Sequence, residues 1–168
     1  HKGRAELQSL SLVDDLTGLY NRKGFMLFAQ QQLSIAIRTK RGMILFFIHL
    51  EGLNEISEKF GRQCEDLAKI ETTNILKEAF RESDIIARHG RDEFTAIALE
   101  SFDASNEIII TRLQDELRSR NKQENRQYNL SLCIGTAYYD TEELCTIEEL
   151  INRAKESMLE QKKNKIQS

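Results

Sequence analysis

The chain of 168 residues contains no proline and no tryptophan. Without proline there is no rigid Pro-rich linker to divide it, and no repeat or low-complexity stretch interrupts it. Cysteine is scarce as well. Cys64, Cys133 and Cys145 are odd in number and scattered, without the paired spacing of a zinc site or a disulfide framework, which points to a reduced, cytoplasmic setting. The longest apolar run, Met43 to Ile48, is far too short for a membrane span, and no signal peptide is expected. Neither sign of charge dominates: Lys+Arg 24 against Asp+Glu 27 leaves a net charge of -3. No overall field therefore draws the chain to a nucleic acid polymer or an anionic membrane.

What is present is a globular composition, 40% hydrophobic and 30% charged, long enough for one domain with a substantial core. A chain opening on His1 is expected to be a piece of a longer protein, whose other domains would be its partners. Residues 1–10 read as the end of a connecting helix or linker, and 11–168 as the domain.

Within that domain Asp14 to Arg22 is a polar loop rich in turn formers. Phe25, Met26, Phe28, Ala29, Leu33, Ala36 and Ile37 recur at helical spacing between Lys23 and Lys40, and Gly42 breaks that helix. Met43 to Leu50 reads as a central strand covered on both faces, with His49 and Glu51 on one face of its end. A helix from Cys64 to Phe80 carries Leu67, Ile70, Ile75, Leu76 and Ala79 as its stripe. Asp84 to Leu99 reads as two short strands around a tight turn at Gly90-Arg91, with the acids Asp92 and Glu93 where the second strand leaves the turn. Such a tip suits a metal or a phosphate, and equally a solvated loop.

Asp103 or Ser105 would cap the next helix, with Ile108, Ile109, Leu113 and Leu117 inward, before a polar connection from Arg118 to Gln127. Tyr128 to Tyr139 alternates as a strand with Gly135 as a bulge. Thr146-Ile147-Glu148-Glu149 starts a last helix carrying Leu150, Ile151, Ala154, Met158 and Leu159. The order strand, helix, hairpin, helix, strand, helix predicts an α/β (α+β) fold: a ferredoxin-like βαββαβ core with a mostly antiparallel central sheet flanked by helices.

Two motifs on these elements resemble one family. Asp14-Asp15-Leu16-Thr17-Gly18-Leu19-Tyr20-Asn21-Arg22 is similar to the D-x-L-T-G-L-x-N-R opening of GGDEF (diguanylate cyclase) domains. Arg88-His89-Gly90-Arg91-Asp92-Glu93-Phe94 resembles their R-x-G-G-D-E-F hairpin with the second glycine replaced. The resemblance implies a domain that condenses two GTP molecules into cyclic di-GMP, one held by each half of a homodimer. It also implies metal ions, Mg2+ by preference, that bridge the phosphates and are held by an aspartate ending the first strand and by the hairpin.

The matching positions depart from that pattern. Where the family shows D-[LIV]-D-x-F-K-x-I-N-D-x-x-G-H-x-x-G-D, this chain runs from His49-Leu50-Glu51 through to Glu65-Asp66. His49 stands at the metal aspartate, a poor magnesium ligand. Asn54 stands at a phosphate-contacting lysine, and Ser57 at the asparagine that reads guanine. Asp66, Gly90, Asp92, Glu93 and Lys162 match, whereas Ile166 falls at a phosphate-binding arginine. Arg91 would crowd a nucleotide's phosphates or pair with them.

The resemblance therefore implies a degenerate, inactive cyclase: Asp92 and Glu93 as vestigial catalytic residues, Asp92 and His49 as a remnant metal pair, and Asp66, Gly90 and Lys162 as a nucleotide-binding remnant. The residues also leave open a softer metal on His49, Asp92 and Glu51. Arg81-Glu82-Ser83-Asp84 matches the family's R-x-x-D product site, and Arg112 falls in register to complete it. Guanidinium and carboxylate together suit the edge of guanine. The expectation is a regulatory module binding cyclic di-GMP at Arg81, Asp84 and Arg112, with no cofactor of its own. The alternatives are an active cyclase using Mg2+ and GTP, or a dimerisation module that binds no nucleotide.

Overall fold

The computed structural model describes residues 11–100 and 105–167, with side chains as far as residue 164. The expectation of a connecting helix over 1–10 and the alternative cap Asp103 lie outside the described residues. The described residues form five helices and four strands in the order α1 (Arg22–Thr39), β1 (Met43–Glu51), α2 (Leu53–Phe60), α3 (Arg62–Ala79), β2 (Ile85–Arg88), β3 (Glu93–Leu99), α4 (Asn106–Asn121), β4 (Ser131–Tyr139) and α5 (Ile147–Gln167). The sheet order is β2-β3-β1-β4, with every neighbouring pair antiparallel. This is the expected mixed fold with its antiparallel sheet.

The alternation of β1 sorts the core into two layers. Ile44, Phe46, Ile48 and Leu50 pack with Ile75, Leu76, Ile109 and Leu113 on the face covered by α2, α3 and α4. Met43, Leu45 and Phe47 pack with Phe25, Ala29, Leu150 and Met158 on the face covered by α1 and α5. A strand buried on both faces has no polar alternation, which is why β1 reads as an unbroken apolar run. His49 continues the odd-numbered face, and so points toward α5.

The first helix ends ahead of Gly42 as expected, closed by Lys40, which adopts φ 56 and donates its N–H to the Ala36 carbonyl. Several other local expectations are corrected. Helix α2 is an addition that a search for long apolar stripes passes over, being one short turn pair opened by Gly52 at φ 75. Leu67 does not join the stripe of α3 but is 57% exposed, and Ile108 and Leu159 also face outward. Helix α4 continues through Arg118 to Asn121, into the stretch read as a connection. Its cap is Ser105, whose hydroxyl accepts from the Ile108 N–H at 3.3 Å.

Gly135 forms no bulge, because the pairing of β1 with β4 runs without a slip from Met43↔Tyr139 to Glu51↔Ser131. Its glycine answers a packing demand: a Cβ there would collide with the Ala154 carbonyl and the backbone of Met158 on α5. That helix begins as expected, with a reciprocal cap in which the Glu149 N–H reaches Thr146 Oγ1 at 3.1 Å and the Glu149 carboxylate returns to Thr146. Among the described residues no helix is long and apolar enough to cross a membrane.

Candidate functional site

The two sequence motifs meet. Tyr20 forms a parallel bridge to Ala87 on the free margin of β2, through Tyr20 N–H to Ile86 O at 3.3 Å and Arg88 N–H to Tyr20 O at 2.9 Å. Arg88 then turns its guanidinium onto Asp14 at 3.1 Å and onto the carbonyl of Gly90 at 3.2 Å. Burial pushes the Asp14 carboxyl upward, but the Thr17 hydroxyl and N–H and the Arg88 charge outweigh it and hold it below the ordinary carboxylate range. The opening loop and the hairpin are thereby one polar unit. Asp92 closes it onto the central strand, its carbonyl accepting the Leu50 N–H at 2.8 Å.

At the end of β1, His49 is bonded on both ring nitrogens. Lys162 Nζ lies 2.5 Å from Nδ1, and Asp92 Oδ2 lies 2.9 Å from Nε2. An ammonium can only donate, so Nδ1 accepts and Nε2 carries the proton that Asp92 receives. This neutral tautomer leaves no ring lone pair for a metal. The softer metal left open on His49, Asp92 and Glu51 would meet the same geometry. Glu51 is engaged by the Ser131 hydroxyl at 3.0 Å, and among the described residues no three His, Cys, Asp or Glu side chains gather into a metal site. Lys162, matched to a nucleotide contact in the sequence, is turned inward to a protein partner instead.

Across the tip, Arg91 leaves the hairpin for the helices. Its guanidinium bonds Asn54 Oδ1 at 2.6 Å and pairs with the buried carboxylate of Glu65 on the first turn of α3. Lys69, also buried, lies 3.7 Å from Glu65 and 3.9 Å from Asp66. Burial works to raise the Glu65 carboxyl; the bonds from Arg91 and Ser57 and the charges of Lys69 and Arg91 overcome it and hold it below its usual value. Glu65 and Lys69 escape a motif-based reading. Their only sequence signal is the i, i+4 acid–base spacing, which ordinarily marks an exposed helix pair. His89 is half-buried edge-on against Phe47, with Arg22 Nε donating to its carbonyl at 2.6 Å.

Arg81 and Asp84 are brought together in the turn after α3. The Asp84 carboxylate accepts the Arg81 N–H at 2.8 Å and its guanidinium at 3.4 Å, while that guanidinium also reaches the Leu99 carbonyl at 3.3 Å. The Asp84 side chain is only 3% exposed, against 34% for Arg81. The pair edges a cleft of about 520 Å³ whose lining includes Gly18, Tyr20, Lys77 and Glu82. Lys77 is a further cation that the sequence does not single out. Arg112 lies exposed on α4 and is not among the residues lining this cleft.

Three comparisons set this arrangement among known proteins. The sequence model described as "Diguanylate cyclase, GGDEF domain" matches residues 11–168. The cyclic di-GMP phosphodiesterase NbdA of Pseudomonas aeruginosa is 30% identical over 153 residues, 89% of this chain but 19% of NbdA's own length. The chain thus spans about a fifth of that relative. The GGDEF domain of TpbB (YfiN) from the same species superimposes with a TM-score of 0.81 at 26% identity, covering 90% of this chain and 89% of that one. A microbial GGDEF domain whose structure describes an interaction mode with cyclic di-GMP gives a TM-score of 0.76 at 25% identity, covering 92% and 94%. The chain belongs to the diguanylate cyclase GGDEF domain family, whose setting is cyclic di-GMP signalling.

Proposed function

We propose that this GGDEF domain is a regulatory module that binds cyclic di-GMP without turning over GTP. The observation that carries the absence of turnover is the chain Lys162–His49–Asp92. A divalent cation there would face an imidazole with both nitrogens in use, a carboxylate already accepting a hydrogen bond, and an ammonium repelling it. The residues present do not fit the metal.

Binding of the dinucleotide is supported by the Arg81–Asp84 turn. Asp84 aims Arg81, and Arg81 offers the more exposed polar edge, suited to the O6/N7 edge of guanine or to phosphate. Lys77 beside it adds charge for a phosphodiester. Arg112 would join through the second base of a ligand extending beyond the cleft. The bound state would be relayed to other domains of a longer protein.

Calorimetric titration with cyclic di-GMP, beside a turnover assay with GTP and Mg2+, tests the proposal. Saturable binding, lost in Arg81→Ala/Asp84→Ala and weakened in Arg112→Ala, with no product formed, is expected. Turnover that disappears in Asp92→Ala would establish an active cyclase instead, and failure to bind either nucleotide would leave an interaction module.

A further inference from the structure

We infer that Glu65 and Arg91 are a specificity-determining pair that closes the space between the hairpin tip and the α2–α3 junction to nucleoside triphosphates. The inference deepens the proposed absence of turnover, since it rests on this face being the one a cyclase would present to substrate. Glu65 is 6% exposed, and a buried carboxylate needs partners. It has them from three elements: the Arg91 guanidinium from the hairpin, Lys69 Nζ one turn along α3, and the Ser57 hydroxyl from α2. Arg91 is fixed a second time by Asn54 on α2.

The cluster is closed in charge as well as in hydrogen bonds. Arg91 and Lys69 face Glu65 and Asp66, so the two positive charges already have two negative ones within reach. A triphosphate entering here would find cations that are committed, and would bring negative charge against a carboxylate that cannot move into solvent. Drawing Arg91 away would leave Glu65 buried beside Lys69 alone, the costly way to break a buried pair. The substitutions are also reciprocal. Positions 65 and 91 are glycines in the sequence pattern this chain resembles, and the two side chains that replace them bond each other. Asn54 and Ser57, which depart from the same pattern, bond these two side chains in turn. Four departures that look like independent losses in sequence form one self-satisfied cluster in space.

The test is calorimetric titration of the chain with GTP, and with ATP as a second probe, in the unaltered protein, in Glu65→Gly/Arg91→Gly and in Glu65→Gln/Arg91→Gly. The last keeps a neutral partner for Ser57 and Lys69 should the double glycine fail to fold, and thermal melting identifies which variants are folded. GTP is expected to bind the unaltered chain at least about tenfold more weakly than it binds the folded variant. GTP binding of the unaltered chain as tight as that of the variant overturns the inference, as does a folded variant that gains none. Cyclic di-GMP binding at Arg81 is read in a separate titration, so that failure of the receptor reading and failure of this one are distinguishable.

Discussion

Lys162 of the last helix and His49 of the central strand are joined side chain to side chain, Nζ to Nδ1 at 2.5 Å. Removing the ammonium leaves a part-buried ring nitrogen without its donor. Lys162→Met is expected to lower stability by about 1 kcal/mol, a fall of roughly 2–4 °C in Tm for a domain of this size. A thermal melt that superimposes on the unaltered protein would contradict the hydrogen bond.

Gly135 faces the backbone of α5 with no room for a side chain. Gly135→Ala must push the helix away from β4, an overpacking change of about 1–3 kcal/mol. Urea unfolding reads it as a lower midpoint at unchanged slope. An unchanged midpoint would mean that α5 yields freely.

His89 is held below the ordinary histidine value, first by burial against Phe47 and then by the charges of Arg22 and Lys155, with Glu93 opposing. The folded state therefore prefers the neutral ring, while the unfolded chain takes up a proton near its ordinary value of 6.5. Stability from this residue is complete above that pH and declines as pH falls toward the lower folded value. His89→Phe is expected to flatten the stability profile between about pH 5 and 7; an identical slope in both proteins would rule out this account.

Asp14 works in the same direction at lower pH. Its depressed carboxyl contributes stability above the unfolded value of 3.8 that is lost as pH falls through the folded one. Asp14→Asn removes a charge partner of Arg88, so the variant should be less stable at pH 7 and less sensitive to acid below about pH 4. Acid titration followed by circular dichroism checks both at once.

The architecture was legible because β1 is an uninterrupted apolar run and because α1, α3 and α5 carry apolar residues at helical spacing. Elements shorter than the window of such a pattern were not, and α2 is the example. Leu67 and Ile108 were misassigned because a stripe drawn on one helix cannot know how wide its neighbour is. Gly135 was misread for a related reason: a bulge and a close helix approach both ask for glycine, and only tertiary packing separates them.

The candidate site was legible as identities and illegible as partnerships. His49, Asp92 and Lys162 all stand out in sequence, yet their joining depends on β1 turning its odd positions toward α5. Arg91 reads as an obstacle to a ligand, and its attachment to Glu65 across 25 intervening positions has no local signature. Arg81 and Asp84 needed no long-range information, because one turn places them together.

The bridge from Tyr20 to β2 also has a mechanical meaning. Leu12 and Asn21 are tied by a backbone hydrogen bond of 2.9 Å, so the segment from Ser11 to Arg22 is a closed loop hung on the sheet margin. Tension drawn along the chain at Ser11 is borne first by that loop, then by the Tyr20–β2 ladder, and through Arg88 by the hairpin tip. Asn21, which caps α1 and donates its side-chain amide to the Ser11 carbonyl at 3.1 Å, passes the same load into that helix. A tug at that end of the domain is thus shared between Arg88 with its neighbours and the start of α1.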